Sequence, residues 1–116
     1  MKGFNFAGIC AGIKKYGGKD LGLIYCDKPA AAAALFTRNK VMAAPVLLGK
    51  EKIKKGFCQA VLVNSGNANC FTGEKGIEDA IACSKLLGNC LDICEDLVLV
   101  SSTGVIGANL PMDKFE

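Results

Sequence analysis

Two short apolar runs, each followed directly by a polar stretch, constrain the fold of this chain more than any other feature. Residues 60–63 lead into an asparagine-rich stretch at 64–69, and residues 97–100 lead into a Ser/Thr/Gly stretch at 101–104. Residues 76–87 between them carry apolar side chains at helical spacing, with a stop signal at 88–89. A right-handed crossover through this helix would make the two strands parallel. Both polar stretches would then lie at the carboxyl edge of one sheet, where α/β proteins usually bind ligands.

The beginning of the chain is predicted to be extended. Residues 3–13 and 21–26 have the composition of strands, and the turn-rich residues 14–20 between them favour a hairpin. The alanine run at 30–34 is interpreted as a packed strand, because its flanking residues favour extended structure over helix.

The middle of the chain gives weaker signals. Residues 41–48 are apolar but contain Pro45, which cannot donate to a ladder, so they are predicted to be an edge strand or an irregular connection. The lysine-rich residues 50–55 are typical of a short, solvated helical turn that ends at Gly56. Together these segments predict a mixed α/β fold.

Length and composition limit the class of protein. With 116 residues, the chain is expected to form one domain or part of one, and the helix-opening pattern at 110–116 suggests a piece of a longer protein. No apolar run is long enough to span a membrane and no signal-type segment follows Met1, so a cytoplasmic protein is predicted. A net charge of +3 from dispersed basic residues argues against nucleic acid as a partner.

Seven cysteines and no histidine narrow the possible chemistry. The odd number favours reduced thiols, interpreted as small buried apolar side chains, over a disulfide framework. No metal site is expected, because the closest pair, Cys90 and Cys94, would need two further ligands. A self-contained Ser or Cys hydrolase would need Lys or a carboxylate as its base. Ser65, Cys70 and Ser102 are therefore assigned to loop roles.

Thr103 and Gly104 end the Ser/Thr/Gly stretch that follows the second apolar run. A backbone N–H free of ladder pairing, beside a hydroxyl, can point two donors at the negative charge that develops on an acyl oxygen. The same residues are also typical of a turn that satisfies its own backbone. On composition alone, the turn is the favoured interpretation.

Several motifs match a known family in order and spacing. In the second half they are Asn64-Ser65-Gly66-Asn67-Ala68-Asn69 with Thr72-Gly73, then Ser102-Thr103-Gly104-Val105-Ile106-Gly107, then Leu110-Pro111-Met112. In the first half they are Gly3-Phe4, Ala11-Gly12-Ile13-Lys14, Asp20-Leu21, Phe36-Thr37-Arg38-Asn39 and Ala43-Ala44-Pro45-Val46. The chain thereby resembles the amino-terminal (alpha chain) portion of the bifunctional ornithine acetyltransferase (glutamate N-acetyltransferase) family of arginine biosynthesis. Small departures are Cys70-Phe71, where the family more often has Ala-Cys, and Ser101-Ser102, where an Ala usually precedes the Ser.

The resemblance implies an α-β-β-α sandwich related in layout to amino-terminal-nucleophile enzymes, with residues 1–116 as part of a single acetyltransferase domain. It also implies a precursor that cuts itself at an Ala-Thr bond, so that a second chain begins with the nucleophilic Thr. No Ala-Thr pair occurs here, so the nucleophile and most substrate-binding residues are expected beyond Glu116. The new terminal amine, with a pKa of about 7.7–8.0, would serve as the base without histidine.

In that scheme the Thr takes the acetyl group from N-acetylornithine and glutamate receives it, while Thr103 and Gly104 form the oxyanion hole. The implied partner is the second (beta) chain of the precursor, in a heterotetramer of two alpha and two beta chains. No cofactor is implied, although acetyl-CoA is a co-substrate for some family members. This fragment alone is expected to be inactive and, with its apolar faces bare, prone to aggregation.

Two other functions stay open on the sequence alone. A self-processing aminopeptidase of similar layout would pass the acyl group to water instead of glutamate. A non-catalytic binding module would keep the scaffold without the second chain.

Overall fold

One four-stranded sheet and two helices make up the chain in a computed structural model that describes residues 1–116. The strands are β1 (Phe4–Ile9), β2 (Leu21–Ala31), β3 (Phe57–Asn67) and β4 (Val98–Val105), and the helices are α1 (Ala44–Lys52) and α2 (Gly73–Leu91). Single 3-10 turns lie at Ile53–Lys55, Glu95–Leu97 and Met112–Lys114. The strands are arranged in the order β1-β2-β3-β4. The predicted mixed α/β fold is confirmed.

The predicted hairpin is confirmed, because β1 and β2 pair antiparallel with Phe4 opposite Cys26 and Ile9 opposite Leu21. The first strand is shorter than predicted, since β1 ends at Ile9 and residues 10–13 belong to the connecting loop. The prediction of a packed strand at residues 30–34 is wrong. Only the first two residues of the 30–34 run belong to β2, and the register of β2 against β3 is already irregular there. Alanine side chains bury too little apolar area to hold this segment against the sheet.

Residues 41–48 were predicted to be extended or irregular, but Pro45 lies in the first turn of α1. The first N–H groups of a helix have no intrahelical acceptor, so the N–H that proline lacks costs nothing at this position. The helix continues to Lys52 and passes into a 3-10 turn that ends at Gly56, whose φ is 74°. The predicted helical turn and its glycine stop are therefore confirmed.

The β3-α2-β4 unit has the predicted parallel arrangement, with Ala60 opposite Val98. Helix α2 does not stop at residues 88–89 as predicted but continues to Leu91, and its C-cap Asp92 is left-handed with φ 53°. Gly88 is needed for packing instead, because a Cβ there would lie 3.0 Å from the carbonyl oxygen of Ile93. The chain leaving the helix folds back against this glycine.

The core is small and lies on one face of the sheet, with only 17 of 116 residues buried. Leu62 and Val100 face Ala80 and Cys83 of α2. Because side chains alternate along a strand, their neighbours Val61 and Val63 point to the other face. That face also includes Ile24 and Phe6, which are opposite Val61 and Ile24 respectively in the pairing.

We call Phe6, Ile24 and Val63 the open sheet face, since Val61 borders residues of α1. Phe6 is 64% exposed, Ile24 38% and Val63 36%, which is high for large apolar side chains within strands. Neither helix of the chain combines the length and hydropathy needed to cross a membrane.

Candidate active site

The carboxyl ends of β3 and β4 lie side by side, as predicted, with Ser65 opposite Thr103 and Gly66 opposite Gly104. The polar stretches are not loops, however. Residues 64–67 and 101–105 continue the two strands, because backbone pairing does not depend on the polarity of the side chains. The assignment of Ser65 and Ser102 to loops is therefore wrong, whereas Cys70 does lie in the loop before α2.

Gly66 and Gly104 are in direct backbone contact where these strands pair. A Cβ on Gly104 would lie 2.3 Å from the carbonyl carbon of Gly66 and 2.5 Å from the nitrogen of Asn67. Gly104 has φ +134° and Gly66 has φ +105°, both in a region that L side chains rarely adopt. The ladder also shifts its register just after Gly66. Glycine is required at position 104 by both contact and conformation.

Thr103 is exposed on the side of the sheet opposite α2. Val100 and Ser102 line the α2 side, so alternation directs Thr103 towards the open sheet face. The nearby side-chain hydrogen bonds are made by Asn64 and Asn67. Thr103 and Gly104 are both exposed, and we call them the oxyanion pair after the role that the sequence predicts for them.

The asparagines of the first motif hold the surrounding backbone in place. Asn67 Nδ2 donates to the carbonyl oxygens of Ala108 and Asn109 at 3.1 and 2.8 Å, and so holds the chain that follows β4. Asn69, fully buried, donates from Nδ2 to the carbonyl of Gly76 at 2.7 Å in the first turns of α2. These asparagine side chains therefore stabilise the backbone at the carboxyl ends of β3 and β4 through hydrogen bonds within the chain.

Asp20 is a residue that the sequence reasoning missed. It is only 3% exposed, and its two carboxylate oxygens accept from the backbone N–H groups of Ala11 at 2.7 Å and Lys14 at 2.8 Å. These backbone donors, Lys14 first, hold the pKa of the Asp20 carboxyl below its usual value. The only sequence signal was its place in the Asp20-Leu21 motif.

An open cleft of about 530 Å³ lies beside the oxyanion pair. Gly66 and Val105, the pairing partner and the chain neighbour of Gly104, both line it. Two lysines, Lys14 and Lys15, give its rim positive charge. The remaining lining residues are Ile13, Tyr16, Asn67, Ala108, Asn109 and Pro111.

The thiols are less buried than predicted. All seven cysteines are unpaired, and only Cys83 is buried. Burial, followed by the charge of Asp79, raises the pKa of the Cys83 thiol to about 12. Burial likewise raises the pKa of Cys58. Neither thiol is activated as a nucleophile, since that requires a lowered pKa.

Curated proteins similar to this chain share one name. The chain is 56% identical over 116 residues to the arginine biosynthesis bifunctional protein ArgJ of Syntrophotalea carbinolica, covering 100% of this chain and 30% of that protein. It is also 56% identical over 113 residues to ArgJ of Caldanaerobacter subterraneus, covering 97% and 28% respectively. The chain therefore spans about 30% of the length of the curated relatives it matches.

Two solved structures have the same fold. The crystal structure of ArgJ from Bacillus halodurans matches with a TM-score of 0.94 and 47% identity, over 98% of this chain and 60% of the other. Ornithine acetyltransferase from Mycobacterium tuberculosis, complexed with ornithine, matches with a TM-score of 0.95 and 43% identity, over 98% and 62%. These matches confirm the amino-terminal-nucleophile-type fold class. The ArgJ family model matches residues 5–116, and the chain therefore belongs to the ArgJ family.

Proposed function

We propose that the protein containing this chain transfers an acetyl group from N-acetylornithine to glutamate in arginine biosynthesis. Membership of the ArgJ family supports this activity, and one solved relative is an ornithine acetyltransferase crystallised with ornithine. The observation that carries the proposal for this chain is the oxyanion pair, placed at the carboxyl end of two parallel strands with a glycine that no other residue can replace.

The reaction would proceed through a threonine acyl-enzyme. A precursor cleaves itself before a Thr beyond residue 116, and the new terminal amine removes the proton from that Thr hydroxyl. The hydroxyl oxygen attacks the acetyl carbonyl and ornithine leaves. The amine of glutamate then attacks the acyl-enzyme and restores the free Thr. This chain supplies no nucleophile, and its isolated form would be inactive.

The oxyanion pair would stabilise both tetrahedral intermediates. The Thr103 hydroxyl and the Gly104 N–H would be the two donors, and a preorganised pair of this kind acts most strongly where water is excluded. Here the pair is exposed, so the remainder of the protein would have to close the site. The open sheet face borders Thr103 and offers the apolar surface on which that remainder would pack.

The same arrangement supports the proposed partners. A beta chain from the same precursor would cover the open sheet face, and two alpha and two beta chains would form a heterotetramer. No resident cofactor takes part; acetyl-CoA would enter only as an alternative acetyl donor. A cytoplasmic location is part of the same proposal.

The first prediction tests the oxyanion pair in the full-length protein. Thr103→Ala removes one donor, and such a loss lowers the turnover number by about 10²- to 10³-fold. Ser101→Ala is the matched control, because Ser101 is an exposed hydroxyl residue on the same side of β4, two positions earlier. Acetyl transfer from N-acetylornithine to glutamate, followed by steady-state kinetics, measures both variants.

An unchanged turnover number for Thr103→Ala would remove Thr103 from the mechanism. An equal loss in Ser101→Ala would attribute the effect to general damage of β4. If the wild-type enzyme hydrolyses peptides and does not transfer acetyl groups, the proposed activity is wrong and the protein is an aminopeptidase.

A further inference from the structure

We propose that Asp20 is a positioning residue for the oxyanion hole. Its carboxylate holds the loop formed by residues 11–14 against Gly66, and Gly66 in turn fixes the backbone of Gly104. The inference deepens the proposed function and rests on it.

Asp20 links three parts of the chain through its own atoms. Its carboxylate accepts from Ala11 and Lys14, as described above. Its backbone N–H donates to the carbonyl of Ile9 at the end of β1 at 3.0 Å, and its carbonyl accepts from the N–H of Ser65 on β3 at 2.9 Å. The loop is therefore tied to the residue that immediately precedes Gly66.

The loop touches Gly66 with nothing between them. A Cβ built on Gly66 would lie 3.1 Å from Lys14 Cγ, 3.2 Å from Ile13 Cγ2 and 3.3 Å from the carbonyl carbon of Ile13. On the other side, the Cα of Gly104 approaches Gly66 so closely that its own Cβ would lie 2.3 Å from the Gly66 carbonyl carbon. Loop, Gly66 and Gly104 form a stack in which closely packed neighbours cannot move independently.

Direct participation of Asp20 in the reaction is not expected. Both carboxylate oxygens are occupied by backbone donors, and the side chain is buried, so neither oxygen is available to take a proton from a substrate. An effect of Asp20 on the reaction would thus pass through the loop. The required precision is high, since a displacement of about 1 Å can lower a rate by about 10²-fold.

The second prediction concerns Asp20→Asn in the full-length enzyme. The amide keeps the shape but replaces one acceptor with an NH2 group, which cannot accept from a backbone N–H. We expect kcat for acetyl transfer to fall by about 10- to 10²-fold through misplacement of the oxyanion pair. KM should stay within about twofold, because a donor used only in the transition state affects kcat. Asp79→Asn is the matched control, since Asp79 is a carboxylate only 2% exposed on α2.

Combination with Thr103→Ala distinguishes positioning from general destabilisation. If Asp20 acts through the oxyanion pair, Asp20→Asn should lower kcat by a smaller factor in the Thr103→Ala background than in wild type, because one of the two donors that it positions is already absent. A loss of the same factor in both backgrounds would overturn the inference. So would an unchanged kcat, a rise in KM alone, or an equal loss of kcat in Asp79→Asn.

If Asp20→Asn does not fold, Ile13→Ala tests the positioning role of the loop instead. This change loosens the contact of the loop with Gly66 and leaves the bonds of Asp20 intact, so a smaller loss of kcat with unchanged KM is expected. No change of kcat would overturn the inference. The proposed function fails separately, either when wild type transfers no acetyl group or when Thr103→Ala is fully active.

Discussion

Gly104 is subject to two independent constraints, and only one of them is local. Its φ of +134° favours glycine whatever the surroundings, while its contact with Gly66 leaves no room for a side chain even if the backbone strain were accepted. A Thr-Gly pair after an apolar run suggests the first constraint from sequence. The second depends on a parallel pairing that brings distant segments together, so no local pattern contains it.

The third prediction separates these constraints with two glycines. Gly107 also has positive φ, at +82°, but no atom lies within 4 Å of the Cβ that alanine would add. Gly107→Ala should lower the free energy of unfolding by about 1–2 kcal/mol from backbone strain alone. Gly104→Ala adds the overlap with Gly66, about 1–3 kcal/mol more. Chemical denaturation of both variants of the full-length protein measures the difference, and equal losses would show that the backbone contact is relaxed at little cost.

Asp20 illustrates how a site residue escapes sequence reasoning. Turn composition predicted the hairpin between β1 and β2, and that hairpin is present. An aspartate before a strand is an ordinary turn residue, however, and its buried carboxylate gains meaning only when the loop folds back onto β3. Three-dimensional contact, not residue type, identifies it.

The carboxyl end of helix α1 is hydrogen-bonded to the chain entering β4 through one lysine. Lys52 Nζ donates to the carbonyl oxygens of Glu95 at 2.6 Å and Val98 at 3.0 Å, where the chain enters β4. Burial lowers the pKa of Lys52, and the charges of Asp96 and Glu95 oppose that shift. In the sequence Lys52 was one of several lysines of a solvated turn. Nothing in its spacing distinguished the buried lysine from its exposed neighbours.

The fourth prediction is that this attachment stabilises the fold. Lys52→Met keeps an apolar stem of similar length but leaves two carbonyl groups without their charged donor, which should cost about 2 kcal/mol. Lys54→Met is the control, because Lys54 pairs only with Glu51 and both side chains are mostly exposed, at 67% and 70%. Exposed pairs of this kind contribute about 0–1 kcal/mol. Similar denaturation midpoints for the two variants would mean that the Lys52 hydrogen bonds add nothing to stability.

Elements were predictable where side-chain pattern determines them. The helical spacing of α2 and the parallel β3 and β4 strands followed from apolar periodicity, and both are present. Strand ends were misplaced because backbone pairing carries β3 and β4 through polar residues. Residues 41–48 were predicted to be extended or irregular because Pro45 lacks the N–H that a ladder needs. The same missing N–H is tolerated in the first turn of a helix, which is where Pro45 lies.

At the scale of the molecule, the two faces of the sheet are covered unequally. Helix α2 packs on one face, whereas the open sheet face exposes large apolar side chains in neighbouring strands. Contiguous apolar patches on a folded chain mark interaction surfaces or sites of aggregation. The bare face was expected from the resemblance, but which residues form it became visible only with the register of the strands.

The fifth prediction is that the open sheet face causes self-association of residues 1–116 expressed alone. Phe6→Lys with Ile24→Lys should reduce that association, because two charges on one face oppose its burial against another copy. The same pair of changes in the full-length protein should lower its thermal unfolding temperature, since there the face would have to be covered. Leu35→Lys is the control: Leu35 is fully exposed and lies outside the strands.

Sedimentation of the fragment and thermal unfolding of the full-length protein give the two measurements. A fragment that is monomeric before any substitution, or a full-length double variant as stable as wild type, would show that this face has no partner.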